Sequence, residues 1–185
     1  MQKRKPRIGF MTLCAPCHTE LIDDLGRSFP TTGEAEMFAR KLSELGCEVI
    51  HVNDTGVVSG KIAGVQDPKF NRSGVVDTYA KTMKAVDKFY NADVDCVVLY
   101  FTTWFWFGQH IQGLIKLNKP IILTTGLGLE GCRGIGPWGM RGGLEELSIK
   151  SRTVYGDLIN DKAIGKEAMN YIKASMVKNI LSQSN

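Results

Sequence analysis

Long apolar runs are missing from this chain of 185 residues, and with them any membrane-spanning helix. The basic start, Met1-Gln2-Lys3-Arg4-Lys5-Pro6, leads straight into a short strand rather than an apolar segment with a small-residue cleavage site, so export is not expected and a cytoplasmic location is. Histidine is scarce, with only His18, His51 and His110, and there is no H-E-x-x-H, G-x-S-x-G or Walker pattern. That excludes the motif-bearing metalloproteases, serine hydrolases and P-loop nucleotidases. Charge of one sign is also missing: the net +4 is modest and its densest basic cluster lies in the first seven residues, so neither a nucleic-acid nor a membrane partner is expected. No internal repeat is present, and the length suits a single domain spanning 1–185.

What is present is regular alternation of strand and helix. Arg7-Ile8-Gly9-Phe10-Met11-Thr12-Leu13 reads as a first strand. A capping box from Thr31 to Glu34 opens a helix carrying Ala35, Phe38, Ala39, Leu42 and Leu45, and Gly46 closes it before a strand at 48–52. Residues 53–74, with four glycines and little periodicity, read as a long irregular connection. A helix is predicted over 75–91, with Val76, Tyr79, Ala80, Met83, Val86 and Phe89 or Tyr90 on its apolar face. A strand at 96–101, a short helix at 109–117, strands at 120–124 and 152–155, and a last helix at 162–181 complete the series. That helix is expected to turn Ile164, Ala168, Tyr171, Ile172, Ser175, Met176 and Ile180 toward the sheet. This order predicts a doubly wound, mainly parallel five-stranded sheet of the Rossmann or flavodoxin kind.

The run Cys96-Val97-Val98-Leu99-Tyr100-Phe101 has no apolar/polar alternation, as befits a strand covered on both faces. Thr102-Thr103-Trp104-Phe105-Trp106-Phe107 follows at its carboxyl end, where open α/β sheets bind ligands. These aromatics suit either the wall of a small-molecule site or a subunit contact. His18 and His110 are expected on the same edge, whereas His51 alternates within a strand and reads as a packed residue.

Residues 125–143, with eight glycines, read as a second irregular segment. Gly126-Leu127-Gly128-Leu129-Glu130-Gly131 satisfies the dinucleotide fingerprint on its face. The following Cys132-Arg133-Gly134-Ile135-Gly136-Pro137 is not expected to form a helical first turn, which argues for a glycine loop over a ligand or partner instead. Cys14-Ala15-Pro16-Cys17-His18 matches both the haem c attachment pattern and a C-x-x-C redox pattern, while reduced thiols are the simplest account of the five cysteines. The other cysteines show no paired spacing for zinc, and the acidic residues Glu34, Glu36, Glu44, Glu145 and Glu146 fall on predicted helix surfaces.

Several short motifs occur together in order: Arg7-Ile8-Gly9-Phe10, Thr103-Trp104, Gly136-Pro137-Trp138-Gly139, and Val154-Tyr155-Gly156-Asp157 leading into the last helix. In this the chain resembles the N-terminal domain of the L-fucose isomerase family, with L-arabinose isomerase a more distant relative. The resemblance implies a Rossmann-like domain of a longer, cytoplasmic, homo-oligomeric isomerase that interconverts an aldose and a ketose. It implies manganese for the full-length enzyme, held by residues of later domains, with no cofactor in this chain. Such a domain reaches into a neighbouring subunit's active site and helps hold the sugar. Trp104 matches the family's sugar-stacking tryptophan position, whereas the arginine that the family places just after the first strand is not evident, Cys17-His18 standing in its neighbourhood. The substrate-binding residues expected here are Trp104, Trp138, His18, Gln109, His110 and Arg141, with no catalytic or metal ligand among them. The alternatives are a stand-alone sugar-binding domain and a flavodoxin-like or thiol-redox protein.

Overall fold

The computed structural model describes residues 4–13, 32–52, 75–76, 78–101, 107–125, 135–158 and 160–184. Its strands are β1 (Arg7–Leu13), β2 (Glu48–His51), β3 (Val75–Val76), β4 (Cys96–Phe101), β5 (Ile121–Thr124) and β6 (Ser151–Thr153). The helices are α1 (Thr32–Glu44), α2 (Tyr79–Asn91), α3 (Phe107–Leu117), α4 (Ile135–Glu146) and α5 (Lys162–Gln183). All strand pairs are parallel, in the order β2-β1-β4-β5-β6. Counting only these five, the order is 2-1-3-4-5, the flavodoxin-like winding, with its switch point between β1 and β4. The two-residue β3 pairs with β1 beyond β2, at Thr12 and Leu13.

The sheet is doubly covered because each central strand sends alternate side chains to opposite cores. Val97, Leu99 and Phe101 join Met11, Leu13, Ile121 and Leu123 against α2, α3 and α4. Cys96, Val98 and Tyr100 join Ile8, Phe10 and Ile122 against α1 and α5. Helix α2 lies so close to β1 that a Cβ on Gly9 would stand 2.7 Å from the Phe89 ring, so only glycine fits there. The predicted helix over 75–91 is corrected at its start. Val75 and Val76 are drawn into the sheet, and the helix begins after Thr78, whose hydroxyl accepts from Lys81 N. Its buried face is accordingly Thr82, Ala85, Val86 and Phe89, while Tyr79, Ala80 and Tyr90 face solvent. In α5 the buried positions include Met169 and Asn179, and Ile180 is exposed.

Helices α1 to α4 are each followed by a left-handed residue, Gly46, Asp93, Asn118 and Ser148 in turn, which breaks the helix before the next strand. Asp93 has a second task. Its carboxylate accepts from Gln183 Nε2 at 3.0 Å and Lys119 Nζ at 3.2 Å, fastening the end of α5 to the start of β4. The Gln183 bond, aided by Lys119 and Asn179 against some desolvation, holds its carboxyl below the ordinary 3.8. A depressed carboxyl stabilises the fold above its ordinary pKa and loses that contribution as pH falls through the lowered value. Asp93→Asn, which keeps a residue tolerant of the left-handed backbone, should lower the urea midpoint at neutral pH. The deficit should shrink below pH 3.8; a deficit independent of pH would remove this linkage.

Candidate functional site at the carboxyl edge

Because every strand runs the same way, each helix that follows a strand starts at the carboxyl edge of the sheet. The segments that leave β1, β4 and β5 there, 14–31, 102–106 and 126–134, lie outside the described residues, and so do His18, Trp104, Cys14, Cys17, Cys132 and the G-x-G-x-x-G run. The irregular connection 53–74 is outside them as well. What the structure does describe at this edge is the first half of α4 and the residues just after β6.

Residues 135–146 are helical, which corrects the expectation of an irregular segment through 143. Pro137 is the third helical residue, where no intrahelical N–H is required and a fixed φ favours the helix. Pro137, Met140 and Leu144 are buried at i, i+3 and i+7, so packing overrides the poor propensity of the glycines. The same register puts Ile135, Trp138 and Arg141 on the outer face at i, i+3 and i+6, with Trp138 58% exposed. The Trp138 ring meets Tyr155, two residues beyond β6, edge to face with centroids 6.4 Å apart. Arg141 donates its Nε–H to Glu145 Oε1 at 2.7 Å. Burial pushes the Tyr155 phenol above its ordinary pKa while the Arg141 charge opposes the shift.

Two of the expected site residues, Trp138 and Arg141, therefore stand together one turn apart. Tyr155, a member of the Val154-Tyr155-Gly156-Asp157 motif that was not expected at the site, braces the indole from just beyond β6. Its position just past a strand's carboxyl end was the signal available. His110 is placed elsewhere: it is 1% exposed in the seam between α2 and α3, with Nδ1 2.5 Å from Thr82 Oγ1. The Thr82 hydroxyl proton goes to the Thr78 carbonyl at 3.0 Å, so the ring is assigned its proton on Nδ1, donating to Thr82. Gln109 lies on α3, one residue before His110. His51 packs against Phe10 with ring centroids 5.1 Å apart, in keeping with a packed residue.

Cys47 and Cys96 are free and buried, and burial pushes their thiols up to about 11 and about 12, far from thiolate character at neutral pH. Among the described residues no three histidine, cysteine, aspartate or glutamate side chains converge as metal ligands, and no helix is long and apolar enough to cross a membrane. Compared with known proteins, the chain matches no family model and no curated protein.

The Tyr155 hydroxyl is buried with no hydrogen-bond partner among the described residues, a state that costs on the order of 1–3 kcal/mol. Tyr155→Phe should thus raise stability by about 1 kcal/mol, or about 2–4 °C in Tm for a chain of this size. A clear loss of stability in thermal unfolding would show that the hydroxyl is bonded.

Proposed function

We propose that this chain is the sugar-recognising α/β domain of an aldose-ketose isomerase of the L-fucose isomerase type, working beside neighbouring subunits in a homo-oligomer. The observation that carries the reading is the meeting of Trp138 and Tyr155. They belong to two of the motifs behind the resemblance, stand on either side of β6, and make one edge-to-face contact at the carboxyl edge of the sheet. An exposed indole offers a flat apolar face to the C–H face of a pyranose, and an adjacent guanidinium offers N–H donors to its hydroxyls. Trp138 and Arg141 supply that pair. Tyr155 is a positioning residue, because its edge-to-face contact fixes the tilt of the indole.

The role is recognition rather than bond chemistry. Moving hydrogen between two sugar carbons needs an electrophile on the oxygens and a positioned base. The described residues do not fit manganese, since no ligand group converges among them. The exposed Ile135 and Trp138 also suit a subunit contact, where tryptophan and arginine are favoured. The strand order supports a second reading, a flavin-binding protein, because the flavodoxin-like winding places FMN at the switch point between β1 and β4. A flavin absorbance spectrum that stays with the protein after incubation with FMN and gel filtration would favour that reading.

Calorimetric titration of L-fucose into the chain should show saturable binding. Trp138→Ala should weaken it by about tenfold or more, about 1.4 kcal/mol, with Tm near wild type because the side chain is exposed. Manganese titrated beside an aldose-to-ketose assay should give neither stoichiometric binding nor turnover by the chain alone. Turnover, or sugar binding indifferent to Trp138, would overturn the proposal.

A further inference from the structure

A groove of about 610 Å³ lies between the end of α1 and the first three turns of α5, within the size range of small-molecule sites. Its cationic lining is Lys41, Lys162, Lys166 and Lys173. Asp161 is its sole carboxylate among the described residues, and that group is spent on capping α5, accepting from Ala163 N at 2.7 Å and Ile164 N at 3.4 Å. Lys41 reaches Glu44 at 3.3 Å, whereas no ion pair engages Lys162, Lys166 or Lys173 among the described residues. The nearby Glu167 is turned away to Arg152, at 2.6 Å.

This arrangement works against the helix that bears it. Lys162 and Lys166 are like charges at i, i+4, and they sit at the positive end of a 22-residue helix that has no acidic residue in its first turn. Beside the lysines the lining has an apolar part formed by Leu45, Leu158 and Met169, with the Met169 sulfur 3.6 Å from Cys47 Sγ, and two amides, Asn160 and Asn170. Gly165 lies among them although neither its backbone nor its neighbours require glycine. A Cβ there would meet Leu45 at 3.8 Å and Leu158 at 4.0 Å, ordinary contacts, so the missing side chain deepens the groove.

From these features we infer that the α1/α5 groove binds a small organic phosphate, its phosphates on the lysines and its carbon body on the apolar lining. Lysine ammoniums are point-charge partners for phosphate. The size of the groove and the absence of an aromatic from its lining among the described residues favour a small molecule over a nucleic-acid strand, which would be expected to stack its bases. The site is independent of the sugar reading, as none of its residues belongs to the α4 cluster.

The experiment is calorimetric titration of fructose bisphosphate and of ADP at constant ionic strength, with fructose as the neutral control. At least one phosphate should bind saturably at one site while fructose does not compete. The double variant Lys166→Gln/Lys173→Gln should weaken it by about tenfold or more. Gly165→Gln, which fills the groove, should abolish binding, and Gly165→Ala should keep most of it. Lys166 and Lys173 are exposed, so circular dichroism should stay at wild type in the lysine variant. No saturable binding of either phosphate, binding unchanged in the lysine variant, or displacement by an RNA oligonucleotide or a polyglutamate peptide that binds more tightly would overturn the inference.

Discussion

The fold depends on keeping one strand dry on both faces. Every residue of β4 is at most 1% exposed, and a strand in that position must have hydrogen-bonded neighbours on both edges and helices over both faces. β1 and β5 supply the edges, and the two helical layers supply the faces. Asp95, immediately before β4 and fully buried, fixes the amino end of this arrangement. Its carboxylate accepts from Arg7 N and Asn179 Nδ2, both at 2.9 Å, and pairs with Arg4 at 3.2 Å. A buried carboxylate is tolerated only when its oxygens are so engaged, and here the engagement ties β1, β4 and the end of α5 together. With the amino edge locked by side chains, the exposed face of α4 starts from the opposite, carboxyl edge.

That division explains where the two candidate sites fall. The α4 platform exists because Pro137, Met140 and Leu144 anchor the helix by its inner side, leaving Ile135, Trp138 and Arg141 outward. The lysine groove exists because α1 and α5 share one face of the sheet and leave a cleft between them, with the buried Gly165 in its lining. One feature offers an aromatic plane with a single fork of donors, the other a row of ammoniums around an apolar lining. The chemistry of the two is different enough that a neutral sugar and an organic phosphate would not compete for the same place.

Much of the fold was legible because its signals are local or periodic. The unbroken apolar run at 96–101 marked the central strand, and apolar spacing with a cap or stop signal located α1, α3 and α5 to within a few residues. Helix α4 was not legible: eight glycines and a proline over 125–143 read as loop, and only tertiary burial of Pro137, Met140 and Leu144 reveals the helix. Val75 and Val76 were assigned to α2 because two residues carry no period of their own, and their pairing with β1 is a long-range fact. At the candidate site, Trp138 and Arg141 were picked from their setting. The bracing role of Tyr155 and the burial of His110 against Thr82 each depend on a partner in another element, so neither could be read from spacing. The lysines of the groove were hidden in a modest net charge, although 162, 166 and 173 fall on one side of a helix.

The central claim is that the outer face of α4 recognises a sugar with Tyr155 as its brace. The most direct measurement is an amide and indole nitrogen–proton correlation spectrum of the labelled chain titrated with L-fucitol, the alditol of the expected substrate class. The account predicts saturating shifts at the Trp138 indole, the Arg141 side chain and the Gly156 amide, with the lysine groove unmoved. Shifts confined to other parts of the chain, or none at saturating alditol, would contradict it.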